Sequence, residues 1–185
     1  VREGEAVARL EPSDMLEIDF RIDFAEKAIG RQEKTLNMAN GAFVRELCDS
    51  RTFCLQSDVD RMRANGLALG GTLENAVVFE DGRVLSPGGL RHSDEPVRHK
   101  MLDALGDLSL AGGPILGRYV GNRAGHSMTN RLLRNSGIGD GPQVGRRKGD
   151  RVTLHRLEGA GAENLDAGCE GLVGHGASGL ISGHH

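Results

Sequence analysis

Apolar and polar side chains alternate with period two along Leu16-Glu17-Ile18-Asp19-Phe20-Arg21-Ile22-Asp23-Phe24, the pattern of a half-buried strand. Residues 6–10 read as an earlier strand, ended by the turn signal Pro12-Ser13-Asp14. Polar residues 25–37 run as a loop into a further strand. Residues 40–48 have helical spacing, with Asn40 as N-cap and Phe43, Leu47 and Cys48 on the apolar face. The period breaks at Arg51-Thr52-Phe53, a loop or short strand. Residues 57–65 predict a short helix capped by Ser57, with Asp58 and Asp60 in its first turn, Val59 and Met62 inward and Gly66 closing it. Residues 75–79 read as a buried strand, and Glu80-Asp81-Gly82-Arg83 as a hairpin turn.

The stretch that organises the chain is Asp94 to Leu108. Asp94 or Glu95 can cap a helix whose first turn accepts Pro96. Val97, Met101, Leu105 and Leu108 recur at helical spacing as an apolar stripe, while His99, Asp103 and Asp107 fall at i, i+4 and i+8 on another face. A histidine and a carboxylate one turn apart can reach a single cation. On the helix alone, a solvated polar face reads as well. After the break at Gly112-Gly113-Pro114, residues 115–120 predict a strand, and Asn122 to His126 a loop opening a helix over residues 127–133. The positive end of that helix disfavours protonation of His126.

Beyond Arg134 the periodic signals stop, and only residues 151–155 resemble a strand. Thirteen of the 28 glycines lie from Asn135 onward, so 135–185 reads as a Gly-rich, largely disordered tail in which nothing positions His175, His184 or His185. The low aromatic content of 3% makes the core aliphatic. A net charge of −3 argues against nucleic acid as a partner. No apolar run reaches the roughly 18 residues of a membrane span, and no signal peptide opens the chain. Three cysteines, odd in number and without CxxC spacing, argue against a disulfide framework, so a reducing cytoplasm is the expected compartment. The start at Val1 rather than Met suggests part of a longer protein.

Taken together, Ile22-Asp23-Phe24, Arg51-Thr52-Phe53, residues 66–71, Asn75-Ala76-Val77-Val78, Gly89-Leu90-Arg91, Asp94-Glu95, residues 97–108 and Gly125-His126 resemble UDP-3-O-acyl-N-acetylglucosamine deacetylase, the zinc amidase of lipid A synthesis. The match runs over about residues 1 to 134 and covers the second half of that enzyme. The resemblance implies an α+β fold. It is a two-layer sheet-and-helix sandwich with an inserted strand–helix–strand unit at about residues 51–78. It also implies a partner: the enzyme's first domain, which carries the third zinc ligand, a histidine, and a glutamate base. Neither has a counterpart here.

By the same resemblance, His99 and Asp103 are zinc ligands, and His126 stabilises the oxyanion or protonates the departing amine while Asp107 orients it. Thr52 helps hold the oxyanion, Lys100 contacts substrate near the phosphates, and Asp23 with Phe24 binds uracil. Phe53, Val59, Ala68, Gly71 and Leu73 line the acyl passage. Ordinary strand alternation would instead put Phe24 in the core and Asp23 outside. Pro96 and Cys54-Leu55 depart from the family pattern, at positions that bear on packing or acyl selectivity. The expected reaction is zinc-dependent hydrolysis of the N-acetyl group of UDP-3-O-acyl-N-acetylglucosamine, incomplete in this chain alone. The alternative is a UDP-sugar-binding fragment without turnover. Within the chain, His92 is a weak candidate for the missing ligand and Glu95 for the base.

Overall fold

The computed structural model describes residues 1–66 and 72–137, together with the backbone of 152–153. It has mixed α+β architecture, with helices layered on a six-stranded sheet and a three-stranded sheet beside it. The strands are β1 (Arg2–Glu3), β2 (Ala6–Glu11), β3 (Leu16–Asp23), β4 (Arg31–Asn37), β5 (Thr52–Leu55), β6 (Ala76–Glu80), β7 (Arg83–Val84), β8 (Ile115–Asn122) and β9 (Val152–Thr153). The helices are α1 (Gln56–Ala64), α2 (Glu95–Leu108) and α3 (His126–Asn135). In the large sheet the order is β1-β2-β8-β3-β4, with β9 also on β8. β8 runs parallel to β3 and antiparallel to β2.

The period-two strand sends Ile18, Phe20 and Ile22 inward, each at most 2% exposed. Tyr119 of β8 joins them, its ring centroid 6.2 Å from that of Phe20. Gly121, two residues on, leaves no room for a side chain. A Cβ there would lie 2.7 Å from the Phe20 ring and 2.9 Å from the Tyr119 ring. Against this layer α2 packs Val97, Met101, Ala104 and Leu108, and α3 packs Met128, Leu132 and Leu133. Leu105, expected on the α2 stripe, is only half-buried, and the smaller Ala104 takes the core position. The opposite sheet face is charged, with pairs such as Arg21–Glu33 and Arg118–Asp19.

In the small sheet β5 and β6 are parallel with α1 between them in sequence, and β6 turns back through Asp81 and Gly82, both at positive φ, into β7. Two expected helix caps are absent. α1 begins at Gln56 after Leu55, so Ser57 lies inside it and caps nothing. Asn40 has a positive φ, as has Gly41, which excludes an N-cap at Asn40. The chain then makes a single π-helical turn, Phe43–Leu47, with Leu47 buried but Phe43 and Cys48 exposed. Asp94 does occupy the N-cap position of α2 but makes no capping bond. Its carboxylate instead accepts from Arg98 Nε at 2.6 Å and Lys34 Nζ at 3.2 Å. Arg98 also reaches Glu46, which ties the π turn to α2.

Glu95, the first residue of α2, is fully buried and binds Arg51 just before β5. The expected reading of 135–185 as disordered lies outside the described residues, except for 135–137 and the short strand β9, which falls within the predicted 151–155.

Candidate active site

The polar face of α2 is not solvated. The side chains of His99, Asp103 and Asp107 are 16%, 20% and 13% exposed. The Phe53 ring of β5 stands edge-on to His99, with centroids 6.4 Å apart, and His126 of α3 lies against Asp103 and Asp107. Helical spacing aligned these three residues; tertiary packing encloses them.

His99 Nδ1 lies 3.1 Å from the Ser50 carbonyl oxygen. A carbonyl only accepts, so Nδ1 carries a proton, and Nε2 is the nitrogen left for a second proton or a metal. That Nε2 faces Asp103 Oδ1 at 3.2 Å. Two acceptors this close require a cation between them, either a proton or a metal. Ligands each about 2.0–2.2 Å from a tetrahedral metal stand roughly 3.4 Å apart, so the pair has the spacing of two such ligands. Burial opposes charge on Asp103, but hydrogen bonds from His99 and the neighbouring Lys100 ammonium outweigh it and hold the carboxyl far below its usual range. Among the described residues no third His, Cys, Asp or Glu completes a metal site.

His126 is the first residue of α3, and its Nε2 lies 3.8 Å from Asp103 Oδ2. Its Nδ1 contacts both oxygens of Asp107, at 3.0 and 2.9 Å. The hydrogen bond to Asp107, with the charges of Asp107 and Asp103, raises the imidazole's pKa against the opposing effect of burial. The expectation from the helix terminus was the reverse. A carboxylate in direct contact outweighs the partial charge of a helix end.

Phe24 is 37% exposed, beyond the last residue of β3, and meets Phe53 edge-to-face at 5.4 Å. It is therefore not in the core. Asp23 accepts from Arg123 Nη2 at 2.7 Å. Lys100 Nζ lies 3.1 Å from Asp103 Oδ2, on the same face as the His99 pair. Thr52 opens β5, half-buried beside Phe53. Val59 is half-buried on α1 and Leu73 is 42% exposed. Ala68 and Gly71 lie outside the described residues. His92 pairs with Asp49 at 3.0 Å, and buried Glu95 is taken up by Arg51 and Arg91, so neither serves the His99 cluster.

Residues 1–136 match the family model LpxC, UDP-3-O-acyl N-acetylglycosamine deacetylase. The chain belongs to this family. It is 48% identical over 134 residues to the UDP-3-O-acyl-N-acetylglucosamine deacetylase of Phenylobacterium zucineum (strain HLK1), covering 72% of this chain and 46% of that one. It is 43% identical over 134 residues to the same-named protein of Anaeromyxobacter sp. (strain Fw109-5), covering 44% of it. Against that of Shewanella sp. (strain W3-18-1) it is 45% identical over 136 residues. The chain thus spans under half the length of these LpxC relatives.

Three participants escaped the sequence reading. Arg123 reaches Asp23 from 100 residues away, the Ser50 carbonyl meets His99 from 49 away, and Glu95 receives Arg51 from 44 away. The one available signal was that Arg51 and Glu95, both charged, sit inside two of the motifs that carry the resemblance.

Proposed function

We propose that this chain is the second-domain portion, about residues 1–134, of a zinc-dependent deacetylase. The substrate is UDP-3-O-acyl-N-acetylglucosamine, and the reaction serves lipid A synthesis. The observation that carries the reading is the convergence of His99 Nε2, the Asp103 carboxylate and His126 Nε2 on one enclosed spot, 3.2 and 3.8 Å apart. His99 and Asp103 are the two zinc ligands from this chain. The third ligand and a glutamate base come from the first domain, outside the sequence described.

Zinc, when bound, lowers the pKa of its water to about 7 and so supplies a nucleophile at neutral pH. In the reaction the water gives a proton to the first domain's glutamate as its oxygen joins the acetyl carbon. The C–N bond breaks, and the amine nitrogen takes a proton as it leaves, with acetate as the other product. His126 supplies that proton. Asp107 holds Nδ1–H, which directs the exchangeable proton to Nε2, and keeps the ring protonated to higher pH. Thr52, at the head of β5, helps hold the oxyanion. Phe24 offers an exposed ring to uracil and Asp23 a carboxylate beside it. Lys100 turns its ammonium from Asp103 to a phosphate oxygen. Phe53, Val59 and Leu73 line the acyl passage.

A second reading, a UDP-sugar-binding fragment without turnover, is favoured for the isolated chain by the missing third ligand among the described residues. The test is acetate release from the UDP-linked substrate. It is run with the chain alone and with the chain joined at Val1 to the first-domain portion of the Phenylobacterium zucineum relative. Turnover by the joined protein, restored by zinc and removed by His126→Ala, supports the enzyme reading. UDP binding without turnover in both forms supports the second.

A further inference from the structure

Glu95 is 0% exposed, and its two carboxylate oxygens accept four hydrogen bonds. Oε1 takes Arg51 N at 3.0 Å and Arg51 Nε at 2.9 Å. Oε2 takes Arg51 Nη2 at 3.1 Å and Arg91 N at 2.7 Å. Arg51 Nη2 also donates to the Gly89 carbonyl at 2.7 Å. A buried ion pair of this kind contributes little net stability over an apolar pair of the same volume, because desolvation offsets the attraction. It does supply direction, which apolar packing lacks.

That direction bears on His99. Residues 50 and 51, adjacent in sequence, meet residues 99 and 95, one turn apart on α2. Ser50 gives its carbonyl to His99 Nδ1, and Arg51 gives its guanidinium to Glu95. The next two residues are Thr52 and Phe53, whose ring borders His99. The Ser50 hydroxyl is buried without a hydrogen-bond partner, so the Ser50 side chain does nothing to hold its own carbonyl. Ser50 N–H donates to Leu47 O, which fixes the chain on one side only.

We propose that the Arg51–Glu95 pair is a positioning device. It sets the register of the 50–53 segment against α2, so that the Ser50 carbonyl selects the Nδ1–H tautomer of His99 and Thr52 and Phe53 take their places beside it. The catalytic part of the proposal rests on the deacetylase reading; the tautomer part does not. Sliding the segment would remove the acceptor from Nδ1 and free the ring to put its proton on Nε2, the atom that must face the metal.

The test uses Glu95→Gln, read first by the ring nitrogen shifts of His99 at a pH where the ring is neutral. The zinc-free protein used also carries Asp103→Ala, because the Asp103 carboxylate 3.2 Å from Nε2 otherwise competes for the ring proton. With Glu95 intact the ring is expected to hold the Nδ1–H form, and with Glu95→Gln to lose at least half of it. In the joined protein, kcat should fall roughly 10- to 100-fold with KM within about twofold, the signature of misplaced groups rather than lost binding. Ser86→Ala removes buried hydrogen bonds within the small sheet and controls for stability alone; its tautomer and kcat should match wild type. Arg51→Lys keeps a cation but loses the fork and should move both readouts the same way; it decides if Glu95→Gln does not fold. A folded variant with wild-type tautomer and kcat overturns the proposal. Absence of turnover in the wild-type joined protein instead overturns the deacetylase reading, and the tautomer still judges the pair.

Discussion

His126 and Asp107 lie on different helices, yet the imidazole Nδ1 stands within 3.0 Å of both carboxylate oxygens. The contact fixes which nitrogen of His126 is free to exchange a proton with a ligand, and it raises the pKa of the ring. Replacing the carboxylate by an amide keeps the shape and removes the charge. Asp107→Asn should therefore lower the pKa of His126 toward or below its ordinary value, followed by NMR titration of the zinc-free chain. An unmoved titration would mean that Asp107 does not govern the ring.

Glu95 illustrates the opposite sign. Burial opposes its charge, but hydrogen bonds from the Arg51 side chain and from the backbone of Arg51 and Arg91 outweigh that and lower its pKa. A carboxyl lowered in the fold stabilises it above the unfolded pKa, and that stability is lost as pH falls through the folded value. Urea midpoints measured against pH should show an acid-side loss that Glu95→Gln flattens. Glu95→Ala leaves the Arg51 charge without its partner and should cost about 3–5 kcal/mol at neutral pH.

Gly121 is a packing constraint rather than a hinge. Its absent Cβ is the space occupied by the Phe20 and Tyr119 rings. Gly121→Ala should destabilise the chain by about 1–3 kcal/mol through overpacking, read from denaturant unfolding. A neutral substitution would mean that the rings separate freely.

Phe24 separates the nucleotide reading from simple strand alternation. If uracil stacks on its exposed ring, Phe24→Ala should weaken UDP binding by about 1–3 kcal/mol, measured by calorimetry. Unchanged affinity would remove Phe24 from the site.

Much of the fold was legible in the sequence because the signals were local. Alternation along 16–24 placed Ile18, Phe20 and Ile22 inward, and the i, i+4, i+8 spacing put His99, Asp103 and Asp107 on one face. The Asp81-Gly82 turn came from its dipeptide. Local signals misled where a backbone or a distant side chain decided the outcome. Asn40 has cap chemistry but a left-handed φ, and Asp94 has cap position but gives its carboxylate to Arg98 and Lys34. The helix end at His126 is visible in sequence and points to the wrong protonation, whereas Asp107, 19 residues earlier, is brought near only by packing. The Arg51–Glu95 pair and the Ser50 carbonyl were invisible for the same reason.

The most direct test of the account is the zinc content of the joined protein, measured by mass spectrometry for wild type, His99→Ala and Asp103→Ala after exhaustive dialysis. The account predicts one zinc per wild-type chain and loss of that zinc in both variants, with folding retained by circular dichroism. One tightly held zinc in both folded variants would contradict it, because the metal would then be bound by side chains other than the facing pair on α2.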